Sequence, residues 1–320
     1  MIFALLFLMG VAASPFTPES VHYRLQIVVD VPAQAKADQD FRLWIPYPPD
    51  TPSQKVHRAD IKAPYPWQIK KEKKFGNRFV YLEGKGGTQP WSVLLRFDVE
   101  RKVEYGGNRS WNEKEYLGPT PWIPFSAEIK KIGLKQTRGL QTPFQKIRAL
   151  YDYIYETLSY DKTGEGWGRG DPIWACANKR GNCTDFHSLF IALARSQNIP
   201  ARFEMGVPIP TNQTEGEIPG YHCWAQAFDP ERGWIPLDAS ESKKLGRRDY
   251  YFNRLGQDRI LLSVGRGLVL NPPQNGEPLN FFFAPYLEAD GKKAAGIQTR
   301  YTFRRLSQSS KESMSASIGN

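Results

Sequence analysis

The first candidate for chemistry in this chain is a cysteine at the start of a predicted helix. Cys183 follows Asn182, a residue type that caps helices, and apolar side chains then recur on one helical face at Phe186, Leu189, Phe190 and Leu193. At a helix start, unpaired backbone N–H groups and the helix dipole favour a thiolate over a thiol. A cysteine in this position can act as a nucleophile, although burial as a small apolar side chain is the commoner role of a free cysteine.

A histidine and an aspartate further along the chain can assist this cysteine. They lie on two short strand patterns joined by Asp-Pro-Glu-Arg-Gly at residues 229–233, a run typical of hairpin turns. If Phe228 faces Trp234 across the turn, Asp238 becomes the diagonal neighbour of His222, within side-chain reach. A shift of one residue in this pairing would move Asp238 to the other face. A carboxylate beside His222 would fix its tautomer and stabilise the imidazolium formed when the ring accepts the thiol proton.

A metal site is an alternative use of the same residue types. Cys183 and His187 have the i, i+4 spacing of a metal-binding pair, and His222 and Cys223 follow, so a zinc hydrolase is conceivable. Adjacent residues of a strand point to opposite faces, however, so His222 and Cys223 cannot easily bind one ion. We therefore predict no metal and no other cofactor, with His187 packed behind the nucleophile and Asp185 as a helix-start carboxylate.

The elements that must hold these residues differ in periodicity between the two parts of the chain. In residues 15–105 apolar side chains alternate with a period of two, as in 21–31 and 91–99, and runs of Pro and Gly separate the alternating segments. This region is predicted to be an N-terminal β-sandwich domain. No candidate catalytic residue stands out in it.

The pattern becomes helical after residue 140. Thr142-Pro143-Phe144-Gln145 is a capping box with proline at the first helical position. A second helix is predicted from Asp171 to Gly181, and the cysteine helix is predicted to end at Asn198 and Pro200. Strands are then expected at 201–207, 221–228, 234–238, 259–270 and 279–283. The predicted fold class is therefore α+β.

Four sequence blocks in this order resemble the transglutaminase-like superfamily. They are Arg180-Gly181-Asn182-Cys183-Thr184-Asp185-Phe186-His187, Asn198-Ile199-Pro200-Ala201-Arg202, Tyr221-His222-Cys223-Trp224 and Trp234-Ile235-Pro236-Leu237-Asp238-Ala239. The sequence is most similar to the bacterial exported transglutaminase-like cysteine peptidases of that superfamily, above all over residues 142–242. The resemblance implies a papain-like core, in which the cysteine helix packs on an antiparallel sheet, and a catalytic triad of Cys183, His222 and Asp238. Thr184 stands where animal protein transglutaminases usually have Trp, and the resemblance does not extend to their calcium sites.

The resemblance implies acyl transfer on protein or peptide amides, with water as acceptor for hydrolysis or a lysine amine for crosslinking. Two other classes of function remain open from the sequence. One is a catalytically silent interaction module that binds peptide or a cell-envelope polymer. The other is a structural β-protein that binds an acidic surface.

The first residues have the composition of a cleaved secretory signal. Residues 2–10 are almost entirely apolar, and the small residues Val11-Ala12-Ala13 follow. We therefore expect an exported protein, periplasmic or secreted, without stable membrane insertion, because no later stretch is long and apolar enough to span a bilayer. In an exported protein Cys176 and Cys223 can form a disulfide or remain buried thiols.

The chain is basic, with a net charge of +10, and part of this excess is local. Eight basic residues lie between Lys55 and Arg78, against two acidic residues, Asp60 and Glu72. No nucleic-acid-binding motif accompanies them, so no nucleic-acid partner is predicted. The cluster is interpreted as a solvated face of the β-domain or as a docking site for an anionic cell-envelope surface.

These observations predict five segments. They are a signal peptide at 1–13, an N-terminal β-sandwich domain at 15–105, a transglutaminase-like catalytic core at 125–245, a C-terminal β extension of the core at 246–305 and a disordered tail at 306–320.

Overall fold

The computed structural model describes residues 20–33, 38–107 and 113–307. The chain begins with strands β1 Ser20–Val31, β2 Gln39–Tyr47, β3 Gln54–Lys62, β4 Trp67–Lys71, β5 Arg78–Gly86, β6 Trp91–Lys102 and β7 Glu104–Tyr105. A short 3₁₀ helix at Glu113–Tyr116 precedes helices α1 Ala127–Thr137, α2 Pro143–Thr157, α3 Pro172–Asn178, α4 Cys183–Ser196 and α5 Ala239–Leu245. Strands between and after these helices are β8 Ser159–Tyr160, β9 Arg180–Gly181, β10 Ala201–Pro208, β11 Glu215–Glu217, β12 His222–Asp229, β13 Gly233–Leu237, β14 Arg254–Leu255 and β15 Arg259–Val264. The last strands are β16 Tyr286–Ala289, β17 Lys292–Lys293 and β18 Gln298–Leu306.

The N-terminal strands form a sandwich of two five-stranded antiparallel sheets, with strand orders β11-β18-β1-β6-β3 and β17-β16-β2-β5-β4. The predicted alternation is present in β1, where Leu25, Ile27 and Val29 are buried and the residues between them are partly exposed. These side chains meet Leu43 and Leu82 of the other sheet in one apolar cluster. Burial of one face of each sheet therefore holds the sandwich together.

The last strands of the chain belong to this sandwich, which corrects one part of the predicted organisation. Of the expected C-terminal extension of the core at 246–305, β15 pairs with the core strand β10 and β14 pairs with β7. In contrast, β16 pairs with β2 and β18 pairs with β1. The physical reason is the edge of β1: Phe303 pairs with Leu25 and buries its ring against the sandwich core. The predicted signal at 1–13 and most of the predicted tail at 306–320 lie outside the described residues.

The core that carries the candidate site is a four-stranded antiparallel sheet, in the order β13-β12-β10-β15, covered on one face by helices. Every residue of α4 from Cys183 to Arg195 is buried, and Ala225 and Leu237 of the sheet pack in the same cluster as this helix. The opposite face carries Trp224 and Trp234, which pack with aromatic residues of the sandwich. The structure therefore has the predicted α+β fold, with a cysteine helix on an antiparallel sheet.

The local signals that predicted the helices have their expected roles. Thr142 caps α2 through a reciprocal capping box with Gln145, and Asp171 caps α3 by accepting from two backbone N–H groups. The turn register is also confirmed, because Phe228 pairs with Trp234 between β12 and β13. Within the described ranges, no helix is long and apolar enough to cross a bilayer.

Candidate active site

Cys183 is the first residue of α4, as predicted, and its surroundings fix the helix start. The side chain of Asn182 accepts from the backbone N–H of Thr184 at 2.9 Å, and Asp185 Oδ2 accepts from the backbone N–H of Asn182 at 2.9 Å. Cys183 is 3% exposed. Among the described residues no acceptor pairs with its backbone N–H, so this group can bind an oxygen of a ligand.

His222 and Asp238 lie together at the same end of the hairpin, in the predicted diagonal arrangement. Nε2 of His222 is 2.6 Å from Oδ2 of Asp238. Asp238 also caps α5, because its Oδ1 accepts from the backbone N–H of Glu241 at 2.9 Å and from the Ser240 hydroxyl at 3.0 Å. The cap holds the carboxylate in one orientation, with Oδ2 turned towards the histidine.

Arg259 is a member of this cluster that the sequence interpretation missed. Its Nη1 donates to Asp238 Oδ2 at 2.9 Å, and both side chains are buried. Arg259 begins β15, which pairs with β10 and is not a neighbour of the hairpin strands β12 and β13. Local periodicity does not determine the order of strands in a sheet, and no motif in the sequence pointed to this arginine.

The neighbouring groups shift the pKa values of Cys183 and His222 in opposite directions. The contact with the Cys223 thiol, then the contact with and charge of His222, hold the pKa of Cys183 well below its usual value despite burial. Burial alone would lower the pKa of His222, but the Asp238 carboxylate and the neighbouring Cys183 raise it to about 10. The favoured state near neutral pH is therefore a thiolate beside an imidazolium.

His187 lies behind Cys183, where the sequence placed it, and joins two parts of the site. Its Nδ1 is 2.7 Å from the carbonyl oxygen of Cys183, and its Nε2 accepts from the backbone N–H of Ala239 at 3.1 Å. Burial lowers the pKa of His187, so the ring is neutral and carries its proton on Nδ1, which donates to the carbonyl. His187 thus connects the first turn of α4 to the residue after Asp238.

The three cysteines are free and buried, so the structure contains no Cys176–Cys223 disulfide. Burial first, and then the contact with Cys183, raise the pKa of Cys223 well above its usual value, and Cys223 therefore stays a thiol. In the part of the chain that the structure describes, no group of three or more His, Cys, Asp or Glu side chains is arranged to hold a metal ion.

A glycine-rich loop packs against the helix start through Asp185. The carboxylate accepts from the backbone N–H groups of Gly168 at 2.7 Å and Gly170 at 3.0 Å, besides that of Asn182. Gly181 leaves room for this carboxylate: its φ is +148°, and a Cβ there would lie 2.4 Å from Asp185 Oδ2. Asp185 thus does more than cap the helix, because it fixes the loop that borders Cys183.

Two tyrosines flank the helix start. Tyr160 pairs with Gly181 through the short parallel strands β8 and β9, and its ring packs on Phe186 of α4. The hydroxyl of Tyr221 accepts from Nδ2 of Asn182 at 3.1 Å. Burial first, and then the charge of Cys183, raise the pKa of both phenols, so they remain hydrogen-bond donors at neutral pH.

Comparison with known proteins agrees with this architecture. Residues 130–239 match the family model of the transglutaminase-like superfamily, and the chain therefore carries a domain of that superfamily. An uncharacterized protein of Haemophilus influenzae is 23% identical over 301 residues, which cover 78% of this chain and 80% of that protein. The uncharacterized Bacillus subtilis protein YebA is 24% identical over 166 residues, which cover 47% of this chain and 22% of YebA.

A solved structure shares the fold over most of the chain. The crystal structure of a candidate cysteine protease from Cytophaga hutchinsonii has a TM-score of 0.57 and 17% sequence identity, and the match covers 90% of this chain and 93% of that one. This is a likeness of fold. It extends well beyond residues 130–239, so the sandwich and the core occur together in both proteins.

Proposed function

We propose that the protein is a cysteine-nucleophile acyltransferase or hydrolase acting on amides of proteins or peptides. Cys183 is the nucleophile, His222 the general acid and base, and Asp238 the residue that orients His222. The observation that carries this proposal is the buried 2.6 Å contact between His222 and Asp238 at the ring that also contacts the Cys183 thiol. A histidine held by a carboxylate on one side and by a cysteine on the other is arranged for proton transfer to and from that cysteine.

The reaction follows from the protonation states of these groups. The Cys183 thiolate attacks the amide carbonyl carbon, and the unpaired backbone N–H of Cys183 donates to the oxygen that becomes negative. The tetrahedral adduct then breaks its C–N bond as the His222 imidazolium gives its proton to the departing amine. The product is a thioester on Cys183 and a neutral His222.

The second half of the reaction regenerates the site. Neutral His222 takes a proton from an incoming water or amine, which attacks the thioester and expels the Cys183 thiolate. Water yields a carboxylic acid and completes hydrolysis, whereas a lysine amine yields a new amide bond. Asp238, held by Arg259 and by the cap of α5, stabilises the imidazolium at each step.

The test is an assay that does not assume the acceptor. Wild-type protein and Cys183→Ala are incubated with a peptide library and a primary-amine library, and mass shifts of the peptides are recorded. We expect hydrolysed or amine-coupled peptides with the wild type alone, together with a thioester adduct on Cys183. If an alkylating probe fails to react with Cys183 and neither library changes, the protein is instead the catalytically silent module that binds peptide or envelope polymer.

We further propose that the basic cluster between Lys55 and Arg78 binds an anionic cell-envelope surface. It lies mainly on β3 and β4, the edge strands of the two sheets, and Trp67 and Ile69 on β4 are 40% and 42% exposed. Lysine also protects sheet edges from aggregation, which is a sufficient role by itself. Binding to anionic vesicles that weakens with salt and is unchanged in Cys183→Ala would support the docking role; equal binding to neutral vesicles would contradict it.

We also propose that the protein is exported. Removal of residues 1–13 would leave a mature chain that begins near Ser14. N-terminal sequencing of the protein recovered outside the cytoplasm tests this directly, and recovery of Met1 in that fraction would contradict it.

A further inference from the structure

A cavity with a volume of about 290 Å³ lies at the end of α4 opposite to Cys183. Its apolar and aromatic walls are formed by Ile191 of α4, Phe203 of β10, Trp122 and Phe75. Two arginines, Arg195 and Arg266, also line it. The cavity is near the lower end of the size range of small-molecule pockets, and its lining combines apolar walls with a few charged groups, as such pockets do.

Neither arginine has an acidic partner among the described residues. Arg195 is 8% exposed. Its one hydrogen bond to the described residues is donated by Nε to the carbonyl oxygen of Ala201 at 2.9 Å. Arg266 is also 8% exposed, and its hydrogen bonds all end on neutral oxygens, among them Asn280 Oδ1 and Ser188 Oγ. Two positive charges therefore face one cavity, and no carboxylate in the described part of the chain is within ion-pair distance of either.

Such an arrangement is costly without a counter-ion. A buried charge is normally paired, because removal from water is not repaid by neutral contacts alone. Burial lowers the pKa of Arg195 to about 10 and that of Arg266 to about 9. The charge of Arg195 lowers the pKa of Arg266 further, and Cys223, Asp185 and Asp171 offset part of the decrease for Arg266. Both side chains still carry their protons at neutral pH.

The remaining charges at the cavity do not neutralise these arginines. Lys74 and Glu115 line its outer part, and both are exposed. With one acid against three bases, the cavity is positive. The planar fork of Arg195 has two terminal nitrogens without an acceptor among the described residues, and a fork of this shape matches the two oxygens of a carboxylate.

We propose that this cavity is a binding site for a small carboxylate that carries an apolar or aromatic body. The carboxylate pairs with Arg195 and the body packs on Phe203, Ile191 and Trp122. The site is separate from the candidate active site, because Cys183 and Arg195 are twelve positions apart in α4, which corresponds to about 18 Å along the helix axis. Its occupation therefore does not depend on the chemistry proposed for Cys183.

Phenylacetate tests the proposal, with phenylacetamide as its neutral counterpart. Each is titrated into the full-length protein by calorimetry, at an ionic strength held constant with chloride. We expect phenylacetate to bind at least about tenfold more tightly than phenylacetamide, because the charge-assisted pair forms with the acid alone. Equal affinities, or no binding of either compound, would overturn the proposal.

A pair of variants locates the site. Arg195→Met keeps an unbranched apolar side chain and removes the charged guanidinium, whereas Arg300→Met removes an exposed arginine on β18 as a matched control. Phenylacetate affinity should fall at least about tenfold in Arg195→Met and stay unchanged in Arg300→Met and Cys183→Ala. Undiminished binding by folded Arg195→Met would exclude this cavity; if that variant does not fold, the comparison of acid with amide in the wild type decides.

The last part of the test is a titration with inorganic phosphate. It can pair with the same arginines but brings no apolar body, so we expect weaker binding than for phenylacetate. Tighter binding of phosphate would overturn the assignment of a carboxylate ligand.

Discussion

Arg259 donates from Nη1 to Oδ2 of Asp238 at 2.9 Å, and this is the same oxygen that His222 contacts. Burial alone would raise the pKa of Asp238, but His222 first and Arg259 next hold it well below its usual value. The carboxylate is thus negative between two positive partners. Arg259 acts on the proposed chemistry through Asp238, and is a positioning residue.

The first prediction concerns this pair. Arg259→Met should lower the free energy of unfolding by about 1.5–3 kcal/mol, since buried Asp238 loses a charge-assisted hydrogen bond but keeps His222 as its positive partner. Arg300→Met is the control, because Arg300 is 61% exposed and its pair with Asp30 at 3.4 Å should contribute less than about 1 kcal/mol. Urea denaturation of both variants measures the difference. Equal losses would show that the Arg259–Asp238 pair is not a stabilising buried contact.

The second prediction is a pH effect of Asp238. In the wild type the imidazolium of His222 persists until the pH rises through about 10, so turnover should decline only on the alkaline side of neutrality. Asp238→Asn removes the charge that raises the pKa of His222, and the alkaline limb of kcat/KM should move to lower pH. Near neutral pH, kcat/KM should fall by about 10- to 10,000-fold, the range that orienting carboxylates supply.

A matched control for this prediction is Asp249→Asn. Asp249 pairs with Arg148 on the surface, and its side chain is 84% exposed. This variant should keep the wild-type pH profile. If Asp238→Asn also keeps that profile, Asp238 does not orient the histidine as proposed.

The third prediction distinguishes the three thiols. Cys183 has a lowered pKa and Cys223 a raised one, so iodoacetamide near pH 6.5 should label Cys183 first. Peptide mapping after brief exposure identifies the modified residue. Labelling of Cys176 or Cys223 at the same rate would argue strongly against Cys183 as the nucleophile.

The fourth prediction separates the two buried histidines. His187→Ala should cost about 1–3 kcal/mol of stability, because the N–H of Ala239 and the carbonyl of Cys183 lose a buried partner. The His187→Ala variant should change stability more than it changes the rate of turnover. His222→Ala should abolish turnover, since thiolate formation and protonation of the leaving amine both depend on that ring.

His57→Ala is the control for stability, because His57 lies on the surface with its side chain 38% exposed. The assignment of the base would be wrong if His187→Ala eliminated turnover while His222→Ala retained most of it. Thermal unfolding and the library assay together measure both effects.

The parts of the site that follow from neighbouring sequence could be predicted. The turn at residues 229–233 sets which residues of β12 and β13 face each other, and that register brings Asp238 to His222. Asn182 before Cys183 predicted the start of α4 in the same way. In both cases the determining interactions lie within a few residues of the pattern.

Contacts between distant segments could not be predicted from the sequence. Arg259 reaches Asp238 because β15 pairs with β10 across the sheet. Arg266, which follows β15, lines the same cavity as Arg195 of α4. The return of β18 to the first strand was also missed, because its alternating pattern shows that one face is buried but not which sheet covers it. The order of the strands in the sheets determines which of these distant segments come into contact.

The place of β18 beside β1 has a consequence for biosynthesis. A ribosome makes the sandwich strands first, but the edge of β1 stays open until residues 298–306 have been added. An open strand edge is a template for pairing with other chains, so the nascent protein is exposed to misassembly during the interval in which the middle of the chain is translated. The helical core can begin to fold in that time. The sandwich starts the chain, yet it is completed by one of the last segments to be translated.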